Sequence, residues 1–311
     1  MGLALSRVTM SNWLLVVYRE WLSHVVERLK QELLKQKYLH IDETHVQVLK
    51  EPGRKNTTDS YMWVYCSIKD AKNPIRYFEY RPGRGGKYPE TFLKDYTGYI
   101  HTDVYSGYNG VSGVIRCMCY THLRRAFVDA LPKDVHDPAA TKSAEAILRL
   151  NKLFAIEEEL ADLTPEERKR QRIIREKKQL EDFWSWAEKS ALGELPKSKL
   201  SKAFGYALNN RDEFFNYLKD GNCVISNSLA ENCIRPFVIG RKNWLFSGSP
   251  QGAQASAGIY TLVETAKANG LSPMKYIKYI LSDMPGSAFL EFPEYLDDYL
   301  PWNPYVKEIC K

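Results

Sequence analysis

The chain opens on a helical pattern. In LSRVTMSNWLLVVYREWLSHVVERLKQELLK, the apolar positions Val8, Trp13, Leu14, Val17, Trp21, Leu22, Val25, Leu29 and Leu33 recur at helical spacing, which predicts one long helix with a continuous apolar stripe. Ser6 stands ahead of it as an N-cap. The period then shortens to two. Residues 37–50 contain LHIDETHVQVL, with Leu39 and Ile41 on one face of a strand and Asp42 on the other. Residues 61–68 (YMWVYCSI) are apolar almost throughout, as a strand buried on both faces would be. Turns at Pro52-Gly53 and Asn73-Pro74 set off a third strand over 75–80.

The segment RPGRGGKYP reads as a loop, and residues 89–96 as a short helix with proline in its first turn. Residues 99–103 and 114–120 follow as fourth and fifth strands, and 122–131 as a helix. From 137 to 218 only helices are predicted. One starts at Thr164-Pro165-Glu166-Glu167, with a threonine cap, proline at the first position and glutamate three residues on. The nine acids and seven bases between positions 157 and 182 read as a solvated helical face. A short apolar stretch, 223–225, leads into a helix over 228–239. A loop with Gly240, Gly248, Pro250 and Gly252 comes next, then helices over 253–269 and 273–283 and an aromatic, acidic tail.

Three strands joined by turns, a helix, a strand, a crossover, a strand and then helices give an α/β fold, a mixed sheet flanked by helices. It is also the element order of a ribonuclease H-like fold, which hosts many functions.

Composition narrows the class. The 311 residues are 44% hydrophobic and 26% charged, which excludes wholesale disorder. The longest apolar run, residues 13–18, is far short of the roughly 20 residues of a membrane helix and below the roughly 7 of a signal h-region, so a soluble cytoplasmic protein is expected. The six cysteines include no CxxC pair, as fits reduced thiols. A net charge of +6 permits a polyanionic partner without requiring one.

Two acids stand where they are costly. Asp42 lies inside a hydrophobic strand, in HIDET, and Asp103 ends another, in HTDVYSGY. Each alone has an ordinary explanation, an edge position or a salt bridge. Two on two strands of one sheet point to a divalent metal site, since carboxylate oxygens suit Mg²⁺ or Mn²⁺. Spacing leaves the third carboxylate open among Asp137, Glu145 and Glu231. Ser228-Leu229-Ala230-Glu231 also fits a capping box that needs no chemistry. In favour of Glu231, Arg235 shares its helix face, and Arg241, Lys242 and Trp244 follow in a basic, aromatic loop suited to a phosphate backbone. Arg84, Lys87, Arg241 and Lys242 flank glycines that let DNA approach. Arg124 and Arg125 fit phosphate contacts and surface ion pairs equally. Cys119 and His122 form a C-x-x-H pair, half of a zinc ligand set.

The strings HIDET, HTDVYSGY, CYTHLRRAF, AENCIRPFVIGRKNWLFSGSPQGAQASAGIYTLVETAKANGLSP and YLPWNP resemble, in the same order and over nearly the whole chain, the transposases of the insertion sequence 66 family, which are bacterial DDE transposases. The resemblance implies a ribonuclease H-like catalytic domain with N- and C-terminal helices and an all-helical insertion. It implies a triad of Asp42, Asp103 and Glu231 holding two Mg²⁺ (or Mn²⁺) ions. DNA would be the partner, as transposon terminal inverted repeats and target, with a homo-oligomer assembled on it and no membrane association. Residues 1–36 would be a remnant of an N-terminal DNA-binding region, 37–132 and 223–285 the two parts of the catalytic domain, 133–222 the insertion, and 286–311 a tail. Cys119 and His122 become a structural motif that braces the insertion. Full-length members carry a further N-terminal part, so a fragment is expected. The alternative is a truncated or domesticated, catalytically inactive DNA-binding protein.

Overall fold

The computed structural model describes residues 4–132 and 138–311. In chain order they form α1 (Arg7–Val17), a π turn (Tyr18–Leu22), α2 (Ser23–Leu34), β1 (Tyr38–Val48), β2 (Asp59–Ser67), β3 (Arg76–Arg81), α3 (Lys87–Phe92), β4 (Gly98–Thr102), β5 (Val114–Met118), α4 (Tyr120–Asp129) and α5 (Lys142–Glu159). There follow α6 (Pro165–Arg175), α7 (Lys177–Ala191), α8 (Lys199–Leu208), α9 (Arg211–Phe215), α10 (Ser228–Trp244), β6 (Phe246–Ser247), α11 (Pro250–Ala268), α12 (Pro273–Asp283) and α13 (Pro304–Ile309). The protein is mixed α/β and divides into two compact units. One holds the chain up to Tyr96 with Gly107–Ser112 and Leu229–Lys311, the other Thr97–Ser106 and Gly113–Ser228. No helix of the described residues is long and apolar enough to cross a membrane.

In the first unit β1, β2 and β3 form an antiparallel meander, with Asp42 opposite Val64 and Val64 opposite Phe78. β6 adds a two-residue parallel pairing to the end of β1. β2 is buried on both faces, as its unbroken apolar run predicts. One face gives Met62, Val64 and Cys66 to a core with Val46, Val48 and Phe78, covered by Ala230, Ile234 and Phe237 of α10 and Ala253 and Ala257 of α11. On the other face Tyr65 stacks on Phe92 at 3.6 Å between ring centroids, and Trp63 meets Tyr108 edge-on at 6.0 Å. The outer strand β3 would leave amides bare in an apolar setting. Instead Phe78 N–H donates to the Thr261 hydroxyl at 2.8 Å and Arg76 N–H to the Thr265 hydroxyl at 3.0 Å, both from α11.

The predicted N-terminal helix forms, and Ser6 caps it by accepting from Thr9 N–H at 3.0 Å. It is interrupted by the π turn, where Tyr18 meets α11 so closely that a Cβ on Gly258 would lie 2.1 Å from its ring. The stripe is buried only past that point: α2 buries Val25, Val26, Leu29 and Leu33, while α1 buries nothing.

α10 corrects a sequence expectation. The helix does not stop at Ile239; it runs through Pro236 and Gly240 to Trp244, so Arg241, Lys242 and Trp244 lie in its last turn and not in a loop. Burial overrides weak propensity here. Phe237 and Trp244 pack edge-on at 5.2 Å, and a side chain on Gly240 would strike the Tyr260 hydroxyl at 2.6 Å.

In the second unit β4 and β5 pair in parallel, with His101 in register with Cys117. The helices follow as predicted, Thr164 capping α6 by accepting from Glu167 N–H at 3.3 Å. They close around Trp184, whose ring meets Phe183 at 4.8 Å and Phe214 at 5.6 Å. Arg172 is fully buried, held by both Glu157 oxygens at 2.6 and 2.7 Å and donating to the Tyr217 and Asp220 carbonyls.

Candidate functional site

Strand alternation separates the two acids of HIDET. Asp42 shares a face of β1 with Val46 and Val48, the face that α10 covers. Its side chain is half-buried, and its Oδ1 accepts from Glu43 N–H at 2.9 Å. Glu43 points the other way. Its side chain is 2% exposed, paired with Arg84 at 2.6 Å and accepting from the Tyr108 hydroxyl at 2.6 Å.

Glu231 stands in the first turn of α10, half-buried. Its neighbours Ala230 and Ile234 enter the core above β1 and β2. At the far end of the helix Arg241 donates to the Thr44 hydroxyl at 3.2 Å and to the His45 carbonyl. α10 is thereby fixed along β1 at both ends, with Glu231 on the helix that covers the Asp42 face. Arg235 lies one turn after Glu231 and is exposed.

Asp103 follows β4 directly, in the second unit. Its Oδ1 accepts from Tyr105 N–H at 2.9 Å, an Asx-type turn. The buried Arg116 of β5 fixes that turn from below, donating to the Thr102 hydroxyl at 2.7 Å, the Asp103 carbonyl at 2.7 Å and the Tyr105 carbonyl at 2.9 Å. At the end of β5, Cys119 Sγ accepts from Asn227 N–H at 3.1 Å and Tyr120 N–H donates to the Ile225 carbonyl at 2.8 Å. Burial raises the Cys119 thiol, but hydrogen bonding to His122 and Asn227 outweighs it and holds the group below its ordinary value. Cys119 and Tyr120 thus tie the start of α4 to the segment ahead of α10.

The remaining candidates differ in what holds them. Arg84 is ion-paired with Glu43, and Arg124 donates to Asn151 at 2.6 Å. Trp244 packs on Phe237. Lys87, Arg125 and Lys242 are exposed. Arg241 and Lys242 line a groove with His45, Gln47, Thr57 and Asp59. Of the other candidates for the third carboxylate, Glu145 pairs with Arg149 at 2.7 Å on α5, and Asp137 lies outside the described residues. The sequence reading missed Glu43 and Arg116. The only signal for Glu43 was a second acid beside Asp42; for Arg116 it was a charge inside a predicted strand. Carboxylate oxygens are hard donors, of the kind that suits Mg²⁺ or Mn²⁺ better than a soft ion.

Comparison with known proteins gives a consistent family. The family model described as Transposase IS66 family matches residues 1–255, a span that includes Asp42, Asp103 and Glu231. Among curated proteins, uncharacterized protein y4qI of Sinorhizobium fredii is 28% identical over 97% of this chain and 57% of its own length. Uncharacterized protein y4hP of the same organism is 26% identical over 85% of this chain and 50% of its own. The chain therefore spans only about half the length of these relatives. No solved structure matches it.

Proposed function

The chain belongs to the IS66 transposase family, and we propose that it carries the catalytic centre of a DNA transposase of ribonuclease H-like fold, with Asp42, Asp103 and Glu231 as its three carboxylates. Family membership supports transposition as the activity. The observation that carries the assignment of residues is that Asp42 lies on the sheet face covered by α10 while Glu231 stands in the first turn of that helix. Asp103 joins the set as an acid at the end of a parallel strand, its carboxylate held by a backbone N–H.

The three carboxylates would hold two Mg²⁺ or Mn²⁺ ions, which in such sites activate a water and stabilise a leaving oxygen. The chain's own part is to hold each acid in place. The N–H groups of Glu43 and Tyr105 orient the two aspartates, Arg116 keeps the Asp103 turn rigid, and α10 sets the height of Glu231. Water then attacks the phosphodiester at a transposon end and frees a 3′-hydroxyl, which the same carboxylates align on target DNA for strand transfer. Lys87, Arg125, Arg235 and Lys242, all exposed, would make phosphate contacts, which position DNA without reading its sequence. A homo-oligomer assembled on two DNA ends belongs to the same reading.

The test uses duplexes bearing the genomic flanks of the coding sequence. Asp42→Asn and Glu231→Gln should each abolish Mn²⁺-dependent cleavage and leave duplex binding unchanged. Continued cutting by either variant rejects the triad.

A further inference from the structure

A second group of metal-ligating side chains lies wholly within the second unit, and the carboxylate chemistry does not use it. His101 on β4 and Cys117 on β5 are register partners across the parallel pair. Cys223 arrives from the segment ahead of α10. A ring nitrogen of His101 and the two sulfurs all lie within 4.8 Å of one another. The residues are 1%, 1% and 0% exposed, and both cysteines are free thiols. His101 Nε2 accepts from Val224 N–H at 3.1 Å, a hydrogen bond that an ion taking this nitrogen would have to replace.

The Cys117 and Cys223 thiols hydrogen-bond each other, and His101 makes a third such group. Three segments distant in sequence each deliver one, and each is of a type that zinc favours: two sulfurs and an imidazole. Charge also fits the burial. Two thiolates and a neutral imidazole around a dication leave no net charge, so closing the site off from water carries little penalty once the ion is in place. The same donors are poor ligands for Mg²⁺ or Mn²⁺, which separates this group chemically from the carboxylates.

We propose that His101, Cys117 and Cys223 supply three ligands of a site for Zn²⁺ or a similarly thiophilic divalent ion. Binding replaces two thiol protons, released to solvent, with two metal–sulfur bonds. It ties the segment around Cys223 to β4 and β5. The inference stands apart from the transposase reading, because it concerns ligands that reading leaves idle.

The experiment takes the full chain, purified under reducing conditions and stripped with a chelator, and titrates Co²⁺ as a spectroscopic probe for zinc. Saturation at about one Co²⁺ per chain with thiolate-to-cobalt charge-transfer absorption is expected. Zn²⁺ should bleach the absorption, and excess Mn²⁺ should not. Cys223→Ser should lose it while Cys119→Ser keeps it, with circular dichroism confirming that both are folded. Since Cys223 is a core residue, a measurement without variants runs alongside: Zn²⁺ should raise the melting temperature of the stripped wild-type protein. Folded wild type with neither thiolate absorption nor a melting shift would overturn the proposal and leave the three as core residues. Absorption kept by Cys223→Ser and lost in Cys119→Ser would also overturn it.

Discussion

Arg84 holds the Glu43 carboxylate at 2.6 Å, on the opposite face of β1 from Asp42. Two adjacent acids in one strand are thereby sorted. Glu43 is nearly sealed from solvent and engaged by Arg84 and Tyr108, a structural role, while Asp42 lies on the face that α10 covers. Removing the cation should expose the difference. Arg84→Ala should destabilise the fold by about 1–3 kcal/mol in urea unfolding, a figure reduced from that of a fully buried pair because the Arg84 side chain is 41% exposed. Glu43→Gln, which removes the buried charge and can still accept from Tyr108, should cost less.

The same pairing bears on DNA. Arg84 is already neutralised by Glu43, whereas Lys87 and Lys242 are exposed cations. Lys87→Ala and Lys242→Ala should each reduce the slope of log affinity against log salt for generic duplex by about 1. Arg84→Ala should change that slope less than either. Slopes equal to that of the wild type in both lysine variants would remove these lysines from the contact surface.

The threonines of α11 make a prediction about the sheet edge. Thr261→Val keeps shape but removes the acceptor for Phe78 N–H, leaving a buried amide unpaired at a cost of about 1–3 kcal/mol. Equilibrium unfolding measures this, and a neutral result would mean that the β3 amides find other partners.

The helical region should respond to pH through Glu176. Burial, reinforced by the nearby Glu157 charge, pushes its carboxyl up to about 8. Glu176 is fully buried, and a hydrogen bond to Glu157 favours its protonated form. The folded state therefore retains a proton that the unfolded chain has already lost. Below the unfolded value of 4.5 both states are protonated and the group contributes no difference. As pH rises from there towards about 8, stability should fall by up to about 1.4 kcal/mol per unit, and then level off. Glu176→Gln, which can still accept from Tyr217, should flatten that slope. A parallel pH profile in the variant would assign the slope to other groups.

How much of this was legible in the sequence follows from the range of the interactions. The strands were readable because β1 alternates and β2 is apolar throughout, and Ser6 and Thr164 announced their helix starts through local caps. The end of α10 was not. Pro236 and Gly240 argue locally for a stop, and only the packing of Trp244 on Phe237 and the fit of Gly240 under Tyr260 explain the continuation. Asp42, Asp103 and Glu231 were named from strand context and family resemblance. Glu43 and Arg116 escaped because their roles depend on partners brought by folding, such as Arg84, 41 residues from Glu43 in sequence. The His101, Cys117 and Cys223 group was invisible for the same reason: its members lie far apart in the sequence and share no motif spacing.

The central claim, that the carboxylates form one hard-metal site, is tested most directly by calorimetric titration of Mn²⁺ into the wild-type chain, Asp42→Asn and Glu231→Gln, without DNA. Clustered carboxylates repel one another without an ion, so weak affinity is expected. The account predicts saturable binding in the wild type that both substitutions abolish and Cys223→Ser leaves intact. Saturable binding unchanged in Asp42→Asn and Glu231→Gln would contradict it.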